Sequence, residues 1–163
     1  MRRKWYLTAL AAIAAGSGLH FLYDLWPNAL TAVFAPVNES VWEHLKLLFW
    51  PTLGAAVVLS ARAPCRSRLW SGFLTALLAM PVFLLGAYYG LRAIGVHSLA
   101  VDIGLYYLTM FGGFFLAARL VRSGRAQRAT GILLMLVMLY GASLVLFTFA
   151  APPFGPFLPP DAA

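Results

Sequence analysis

Charged residues and cysteines are both scarce in this sequence. Asp, Glu, Lys and Arg make up 10% of its 163 residues, whereas hydrophobic residues make up 62%. A soluble domain of this length cannot bury so large an apolar fraction in one core, so the composition predicts that lipid surrounds much of the chain. The single cysteine, Cys65, excludes an intrachain disulfide and a metal site built from several thiolates.

Sequence motifs of the common enzyme classes are missing as well. The chain has no HExxH zinc motif, no G-x-S-x-G nucleophile elbow and no Walker-type glycine loop. Its formal net charge of +7 is spread over short basic clusters between apolar runs, which leaves no basic domain to bind phosphates. We therefore expect no nucleic-acid partner, and we expect the lipid bilayer to be the main surroundings of the protein.

Long apolar runs divide the chain into segments that can cross a bilayer, which takes about 20 residues per helix. They predict an all-α fold, a polytopic membrane helix bundle of about five transmembrane helices that forms a single transmembrane domain over residues 1-163. The predicted spans cover about 5-26, 41-60, 69-91, 99-120 and 130-150. The proline-rich tail, 151-163, is predicted to stay extended and to lie on the protein or on the membrane surface.

The third predicted span contains two features that concern helix packing. Pro81 lies in its middle, and lipid-embedded helices tolerate proline because neighbouring helices can satisfy the freed backbone groups. Gly86 and Gly90 have the GxxxG spacing, which is typical of close contact between helices.

Basic residues are distributed unequally between the two ends of the predicted spans. All of them except Lys46 and Arg92 lie before the first span, between the second and third spans, or around the link between the fourth and fifth. Basic loops remain in the cytoplasm, so the amino terminus is predicted to lie inside and the carboxyl terminus outside.

Acidic residues and histidines fall at the opposite end. With this topology every one of them lies at or near the outer face; they are Asp24, Glu39, Glu43, Asp102, Asp161, His20, His44 and His97. Ionisable residues within a membrane indicate a functional site by default. The candidate polar or ion site comprises His20, Asp24, Asn38, Glu39, Glu43, His44, Lys46 and Asp102.

Helical spacing relates several of these residues to one another. His20 and Asp24 are four apart on the first predicted helix, so their side chains are expected on one face. Ser40 and Glu43 have the spacing of a capping box. A helix that starts there carries Lys46 into the membrane, where a charge costs roughly 2.5–3.5 kcal/mol, so Lys46 is predicted to face a carboxylate or a hydrated cavity.

Three carboxylates are candidates for contacts around Lys46. Glu43 can pair with Lys46 in the same helix, and Glu39 continues the same stripe if the turn before the helix is also helical. Asp102, near the start of the fourth span, is expected to join from another helix.

Such a cluster is compatible with three functions. The first is binding or conduction of an ion, a proton or a small polar solute on the extracytoplasmic side. The alternative is an intramembrane metal-dependent hydrolase of a lipid-type substrate, with zinc or another divalent metal held by ligands from His20, Asp24, Glu43, His44 and Asp102. The third is a structural or accessory membrane subunit. A homo-oligomer and assembly with another membrane subunit both stay open.

Two segments carry a resemblance to a known family. The block F-A-P-V-N-E-S-V-W-E-H-L-K-L-L-F-W-P, from Phe34 to Pro51, is preceded by H-F-L-Y-D from His20 to Asp24. Together they resemble a family of small uncharacterised bacterial integral membrane proteins, and the P-P-F-G-P-F-L-P-P-D tail is similar to the proline-rich ending of that family. The resemblance implies a multi-span bundle in the bacterial inner membrane, and it transfers no activity.

Overall fold

Helices form the regular secondary structure of this protein. The computed structural model describes residues 2–61 and 63–159, and no strand occurs in these ranges. The helices are α1 (Arg2–Leu19), α2 (Leu22–Leu25), α3 (Ala29–Phe34), α4 (Val41–Ser60), α5 (Arg66–Ala93), α6 (Leu99–Ser123) and α7 (Thr130–Phe149), with 3-10 turns at Gln127–Ala129 and Gly155–Phe157. The prediction of an all-α fold is confirmed for the described residues.

A break near His20 separates α1 from α2, so the continuous first helix predicted for 5-26 is wrong. The amide of Phe21 donates to the carbonyl of Gly18 at 3.2 Å and closes a turn at the end of α1. His20 lies in this turn, whereas Asp24 lies on the separate helix α2. Their spacing predicted that the two side chains share one helix face, and this prediction is wrong.

Side-chain caps fix the starts of the two following helices. Asn28 Oδ1 accepts from the amides of Leu30 and Thr31 at 2.9 and 3.0 Å, which starts α3. Ser40 Oγ accepts from the amide of Glu43 at 3.4 Å and caps α4. Only this half of the predicted capping box forms, because the Glu43 side chain is engaged elsewhere.

The longest helix, α5, lies at the centre of the packing. It contacts α4, α6 and α7, while α1 packs against α4. Pro81 is accommodated inside α5, as predicted, and is buried. The core between these helices contains fully buried apolar side chains, among them Leu45, Phe73, Leu77, Met110 and Leu144.

Close helix contacts in this chain are made by glycines other than the predicted pair. A Cβ atom added at Gly86 or Gly90 would meet no atom within 4 Å, so within the described residues the GxxxG prediction is wrong. A Cβ atom at Gly72 on α5 would lie 2.6 Å from Val121 Cγ2 and 2.9 Å from the carbonyl oxygen of Ala117, both on α6. The backbones of α5 and α6 approach this closely because Gly72 has no side chain.

Three helices are long and apolar enough to cross a membrane: Arg66–Ala93, Leu99–Ser123 and the helical stretch Gln127–Phe149. Large apolar side chains point outward from them; Phe115 is 62% exposed and Met138 is 66% exposed. A surface of this kind suits contact with lipid, and the chain is a membrane protein by this measure. Helix α1 begins with basic residues, and α4 contains Glu43 and Lys46.

Two contacts gather the basic segments at one end of the bundle. Arg68 Nε donates to Gln127 Oε1 at 3.2 Å, which joins the start of α5 to the link between α6 and α7. The rings of Trp5 and Phe73 stack with their centroids 5.3 Å apart, which brings the start of α1 to the same end. His20 and Asp102 lie at the other end, where α1 finishes and α6 begins.

The proline-rich tail folds back onto the protein. Phe157 packs against Trp42 and Phe147, with ring centroids 4.8 and 5.1 Å apart. A single 3-10 turn at Gly155–Phe157 replaces the fully extended conformation that the prolines predicted. Asp161 lies outside the described residues.

Replacing Gly72 with alanine tests the close contact between α5 and α6. The new methyl group would press on the backbone carbonyl of Ala117, which cannot move without separating the helices. We expect a loss of roughly 1–3 kcal/mol in the free energy of unfolding, read as a lower midpoint of thermal unfolding in detergent. Gly86→Ala is the matched control, because its Cβ meets no atom within 4 Å and alanine favours helix over glycine. Equal stability of the two variants would contradict the contact.

Candidate functional site

Lys46 is completely buried on α4, with 0% of its surface exposed. Its Nζ donates to Glu43 Oε2 at 2.6 Å, to the carbonyl of Ala32 at 2.7 Å and to the carbonyl of Ala35 at 3.2 Å. An ammonium group has three N–H donors, and here each donor has an acceptor. The carboxylate partner expected from the spacing of Glu43 and Lys46 is therefore present.

Glu43 is almost as deeply buried, with 2% of its surface exposed. Its Oε2 also accepts from the amide of Val37 at 2.9 Å, and its Oε1 accepts from Thr148 Oγ1 on α7 at 3.1 Å. These contacts connect α4 to α7 and to the segment that precedes α4. We call this set the Lys46 network; it consists of Lys46, Glu43, Thr148 and the backbone groups of Ala32, Ala35 and Val37.

The Lys46 network is a structural element of the bundle. A buried ion pair survives only where additional hydrogen bonds satisfy both charges, and removing one partner typically costs about 3–5 kcal/mol. All three Lys46 donors are occupied, and both Glu43 oxygens accept hydrogen bonds. Both side chains therefore take part in hydrogen bonds that join α4 to the segment before it and to α7.

A cavity of about 580 Å³ lies between the end of α1, the start of α4, the end of α5 and the start of α6. We call it the His20 cavity. Its charged and imidazole side chains come from helix ends and loops: His20, Glu39, His44, Arg92 and Asp102. Its apolar walls come from positions one to two turns further into the bundle, including Leu47, Leu84 and Leu105.

Three of these residues form a compact group, the His20 cluster, which consists of His20, Glu39 and His44. Glu39 Oε1 lies 4.0 Å from His20 Nε2, and Glu39 Oε2 lies 3.4 Å from His44 Nε2. The two imidazole rings lie 5.1 Å apart between centroids. One potential ligand atom from each residue lies within 4.8 Å of the other two.

Hydrogen bonding orients one of the two imidazoles. His44 Nδ1 lies 2.8 Å from the carbonyl of Ser40, which can only accept, so this nitrogen carries the proton. Nε2 of a neutral His44 ring then has its lone pair free on the side of Glu39. His20 Nδ1 is buried and has no hydrogen-bond partner within the described part of the chain.

Asp102 lines the His20 cavity but does not contact Lys46, so the prediction that it joins the Lys46 pair is wrong. Its Oδ2 accepts from Arg92 Nη2 at 2.7 Å, and Arg92 Nη1 donates to the carbonyl of Val96 at 2.7 Å. The Arg92 guanidinium also lies over the Tyr88 ring, 4.5 Å from its centroid. A second ion pair, separate from the Lys46 network, thus lines one side of the cavity.

Three further residues named from the sequence lie away from the cavity lining. Asp24 is exposed on α2, and His97 is exposed in the turn between α5 and α6. Asn38 is exposed as well, and its Oδ1 accepts from the amide of Ser40 at 2.9 Å, which helps to shape the turn before α4.

Arg92 is one of the cavity residues that the sequence-based set left out. Two sequence signals point to it: Tyr88 is four residues earlier on the same helix, and Asp102 follows after one short connection. Tyr106 was also left out; its hydroxyl donates to the carbonyl of Ile13 at 3.1 Å and holds α6 against α1 beside the cavity.

Comparison with known proteins identifies a family. The model of a family of unknown function (DUF6512) matches residues 1–160, nearly the whole chain. Neither the curated proteins nor the solved structures give a match. The resemblance to an uncharacterised family is confirmed, and the activity has to be inferred from the chain itself.

Single substitutions in the Lys46 network should destabilise the protein more than the double substitution does. Glu43→Gln leaves the Lys46 ammonium buried without a counterion. Lys46→Met likewise leaves the Glu43 carboxylate buried without a counterion. We expect each to lower the free energy of unfolding by about 3–5 kcal/mol. The double variant contains no buried charge and should regain part of this loss. Thermal unfolding of the purified proteins in detergent measures the effect.

Glu39→Gln is the matched control for this series. Glu39 lies four residues before Glu43, and its side chain is 70% exposed. In chelator-treated protein without added ligand, its neutralisation should therefore leave the unfolding midpoint close to that of the unsubstituted protein. A double variant no more stable than either single variant would contradict charge compensation in the Lys46 network.

Proposed function

This chain belongs to the DUF6512 family of unknown function, and we propose that it is an integral protein of the bacterial cytoplasmic membrane that binds an ion or a small polar solute in the His20 cavity. One observation carries the proposal. His20, Glu39, His44 and Asp102 come from a turn, a loop and two helices, yet all four line one cavity.

The proposed arrangement in the membrane has five spans within a single domain. Besides the three helices that are long and apolar enough to cross a membrane, α1 has 18 residues and α4 has 20. At 1.5 Å per residue these are about 27 and 30 Å long, close to the hydrocarbon thickness of about 30 Å. The only charged pair inside α4 is neutralised within the Lys46 network, which removes the main obstacle to its insertion.

The proposed orientation has the amino terminus in the cytoplasm and the carboxyl terminus outside. The contacts of Arg68 with Gln127 and of Trp5 with Phe73 support it, because they gather the basic segments at one end. Basic segments remain on the cytoplasmic side of a membrane. The His20 cavity then opens toward the extracytoplasmic side.

The lining of the His20 cavity suits a small polar ligand. Ligand sites in proteins are mostly apolar concavities of about 300–1,000 Å³ with a few converging polar groups. Here two imidazoles and a carboxylate offer lone pairs to a cation, and the paired Arg92 and Asp102 offer a donor and an acceptor to a polar solute. Apolar walls around such groups strengthen their electrostatic interactions with a ligand.

The orientation can be tested by labelling cysteines with a membrane-impermeant maleimide. Cys65 is exposed next to the basic start of α5, so in intact spheroplasts it should react only after permeabilisation. A Cys65→Ser/His97→Cys variant moves the single thiol to an exposed position at the opposite end. It should react without permeabilisation.

An internal control keeps this experiment interpretable. After permeabilisation both proteins should label to the same extent, which shows that both thiols are accessible. Labelling of Cys65 in intact spheroplasts, with no labelling at position 97, would reverse the proposed orientation.

Ligand binding can be tested by thermal unfolding in lipid nanodiscs against a panel of probes: Na⁺, K⁺, Mg²⁺, Ca²⁺, Mn²⁺, Co²⁺, Zn²⁺ and inorganic phosphate. A ligand at 100 times its Kd stabilises the folded state by about 2.7 kcal/mol. We expect at least one probe to raise the unfolding midpoint of the unsubstituted protein and of Asp24→Asn, but not of Glu39→Gln. If no probe distinguishes Glu39→Gln from Asp24→Asn, the cavity is not the proposed site.

A further inference from the structure

We infer that the His20 cluster binds a divalent first-row transition metal ion of the Zn²⁺ type, with His20, Glu39 and His44 as its protein ligands. This inference rests on the proposed function and names the ligand of the same cavity. Its carboxylate ligand is Glu39, a member of the candidate polar site that the metal alternative drawn from the sequence did not include.

The spacing of the three side chains is close to that of a metal site. Ligand atoms bound at 2.0–2.1 Å to a tetrahedral ion lie about 3.3 Å from one another. In the His20 cluster the Glu39 oxygens lie 3.4 Å from His44 Nε2 and 4.0 Å from His20 Nε2. All three ligand atoms lie within 4.8 Å of one another. Small side-chain rotations would bring them to binding distance.

Glu39 has the freedom to make this adjustment. Its side chain is 70% exposed, and it lies in the non-helical connection between α3 and α4. The connection itself is fixed nearby, because the Val37 amide donates to Glu43 and the Ser40 amide donates to Asn38. The carboxylate can therefore rotate while its backbone stays in place over the two histidines.

The donor set selects the class of metal. Two imidazole nitrogens and one carboxylate oxygen are typical ligands of Zn²⁺ and other first-row divalent ions. Ca²⁺ and Mg²⁺ prefer sites made almost entirely of oxygen atoms. The cluster thus favours a transition metal over the more abundant hard cations.

The hydrogen bond of His44 prepares it for coordination. Histidine ligands usually donate their second N–H to a carbonyl or carboxylate, which fixes the tautomer and the ring orientation. His44 Nδ1 makes such a contact with the carbonyl of Ser40 at 2.8 Å, which leaves Nε2 for the metal. Ser40 is held in turn as the N-cap of α4.

Charge balance supports the same conclusion. Two basic residues lie at the end of the bundle that contains the cavity, and both are already paired. Lys46 pairs with Glu43, and Arg92 pairs with Asp102. Among the described residues, the ionic contacts of Glu39 are to the two histidines alone. A divalent cation would balance the carboxylate without requiring protonated imidazoles.

Three protein ligands leave one coordination position for a fourth donor. Zinc sites with three protein ligands keep this position for water or a substrate atom, whereas structural sites usually fill all four with protein. In this protein the cluster lines a cavity of about 580 Å³, so a water molecule or a solute oxygen can reach the metal.

A Co²⁺ titration of chelator-treated protein in nanodiscs tests the inference. We expect one Co²⁺ per chain with the visible absorption of a four- or five-coordinate site, and displacement by Zn²⁺ but not by equal concentrations of Ca²⁺ or Mg²⁺. Loss of partners outside the ligand shell typically costs 10–100-fold in metal affinity, so removing a ligand in Glu39→Gln or His44→Ala should cost at least about 100-fold.

Matched controls separate specific binding from binding to surface groups. His97→Ala removes an exposed histidine at the same end of the bundle, and Asp24→Asn removes an exposed carboxylate; both should bind Co²⁺ like the unsubstituted protein. X-ray absorption of the Zn²⁺-loaded, unsubstituted protein should show two imidazole ligands, a readout independent of how the variants fold. An all-oxygen shell, or equal affinity of Glu39→Gln and Asp24→Asn, would overturn the inference.

Failure of this inference and failure of the proposed function give different results. If another probe of the thermal panel stabilises the protein in a Glu39-dependent manner while Co²⁺ and Zn²⁺ do not bind, the cavity is a binding site but the metal assignment is wrong. If no probe acts through Glu39, both are wrong.

Discussion

The buried ion pair between Lys46 and Glu43 is the interaction on which the rest of this site depends. Two charges that are 0% and 2% exposed can stay in the bundle only because every Lys46 proton and both Glu43 oxygens have partners. Those partners include the backbone of the segment between α3 and α4. The pair therefore fixes the loop that contains Glu39.

Fixing this loop places the residues of the cavity. Val37 is held by Glu43, and Ser40 caps α4 while its carbonyl orients His44. Glu39 lies between these two fixed points, with an exposed side chain beside both histidines. Two carboxylates four residues apart thus have different roles. Glu43 makes buried hydrogen bonds to the segment before α4 and to α7, whereas Glu39 is exposed and is the ligand in our proposal.

Local chemistry explains which parts of this arrangement could be predicted from the sequence. The pair of Glu43 and Lys46 followed from helical spacing and the cost of an unpaired charge, and the capping role of Ser40 followed from its position. Both depend on contacts a few residues apart. The helices α5 to α7 could also be predicted directly, because lipid requires apolar side chains along their whole length.

Contacts between distant segments were beyond this reasoning. Asp102 was expected beside Lys46. The turn after α5 instead places Asp102 next to Arg92, and these two side chains form an ion pair. The break at His20 was not predicted because no proline marks it in the sequence. Gly86 and Gly90 have the spacing of a packing motif, yet Gly72 makes the close contact because helix rotation decides which glycine faces a neighbour.

Hydrogen–deuterium exchange of the segment 35–40 tests most directly whether the pair of Lys46 and Glu43 holds this loop in place. The Val37 amide donates to Glu43, so peptides that cover this segment should exchange slowly in the unsubstituted protein. In Lys46→Met the Glu43 carboxylate loses its counterion, and the same peptides should exchange much faster, while peptides from the centre of α5 change little. Equal exchange of 35–40 in both proteins would show that the ion pair does not hold the loop in place.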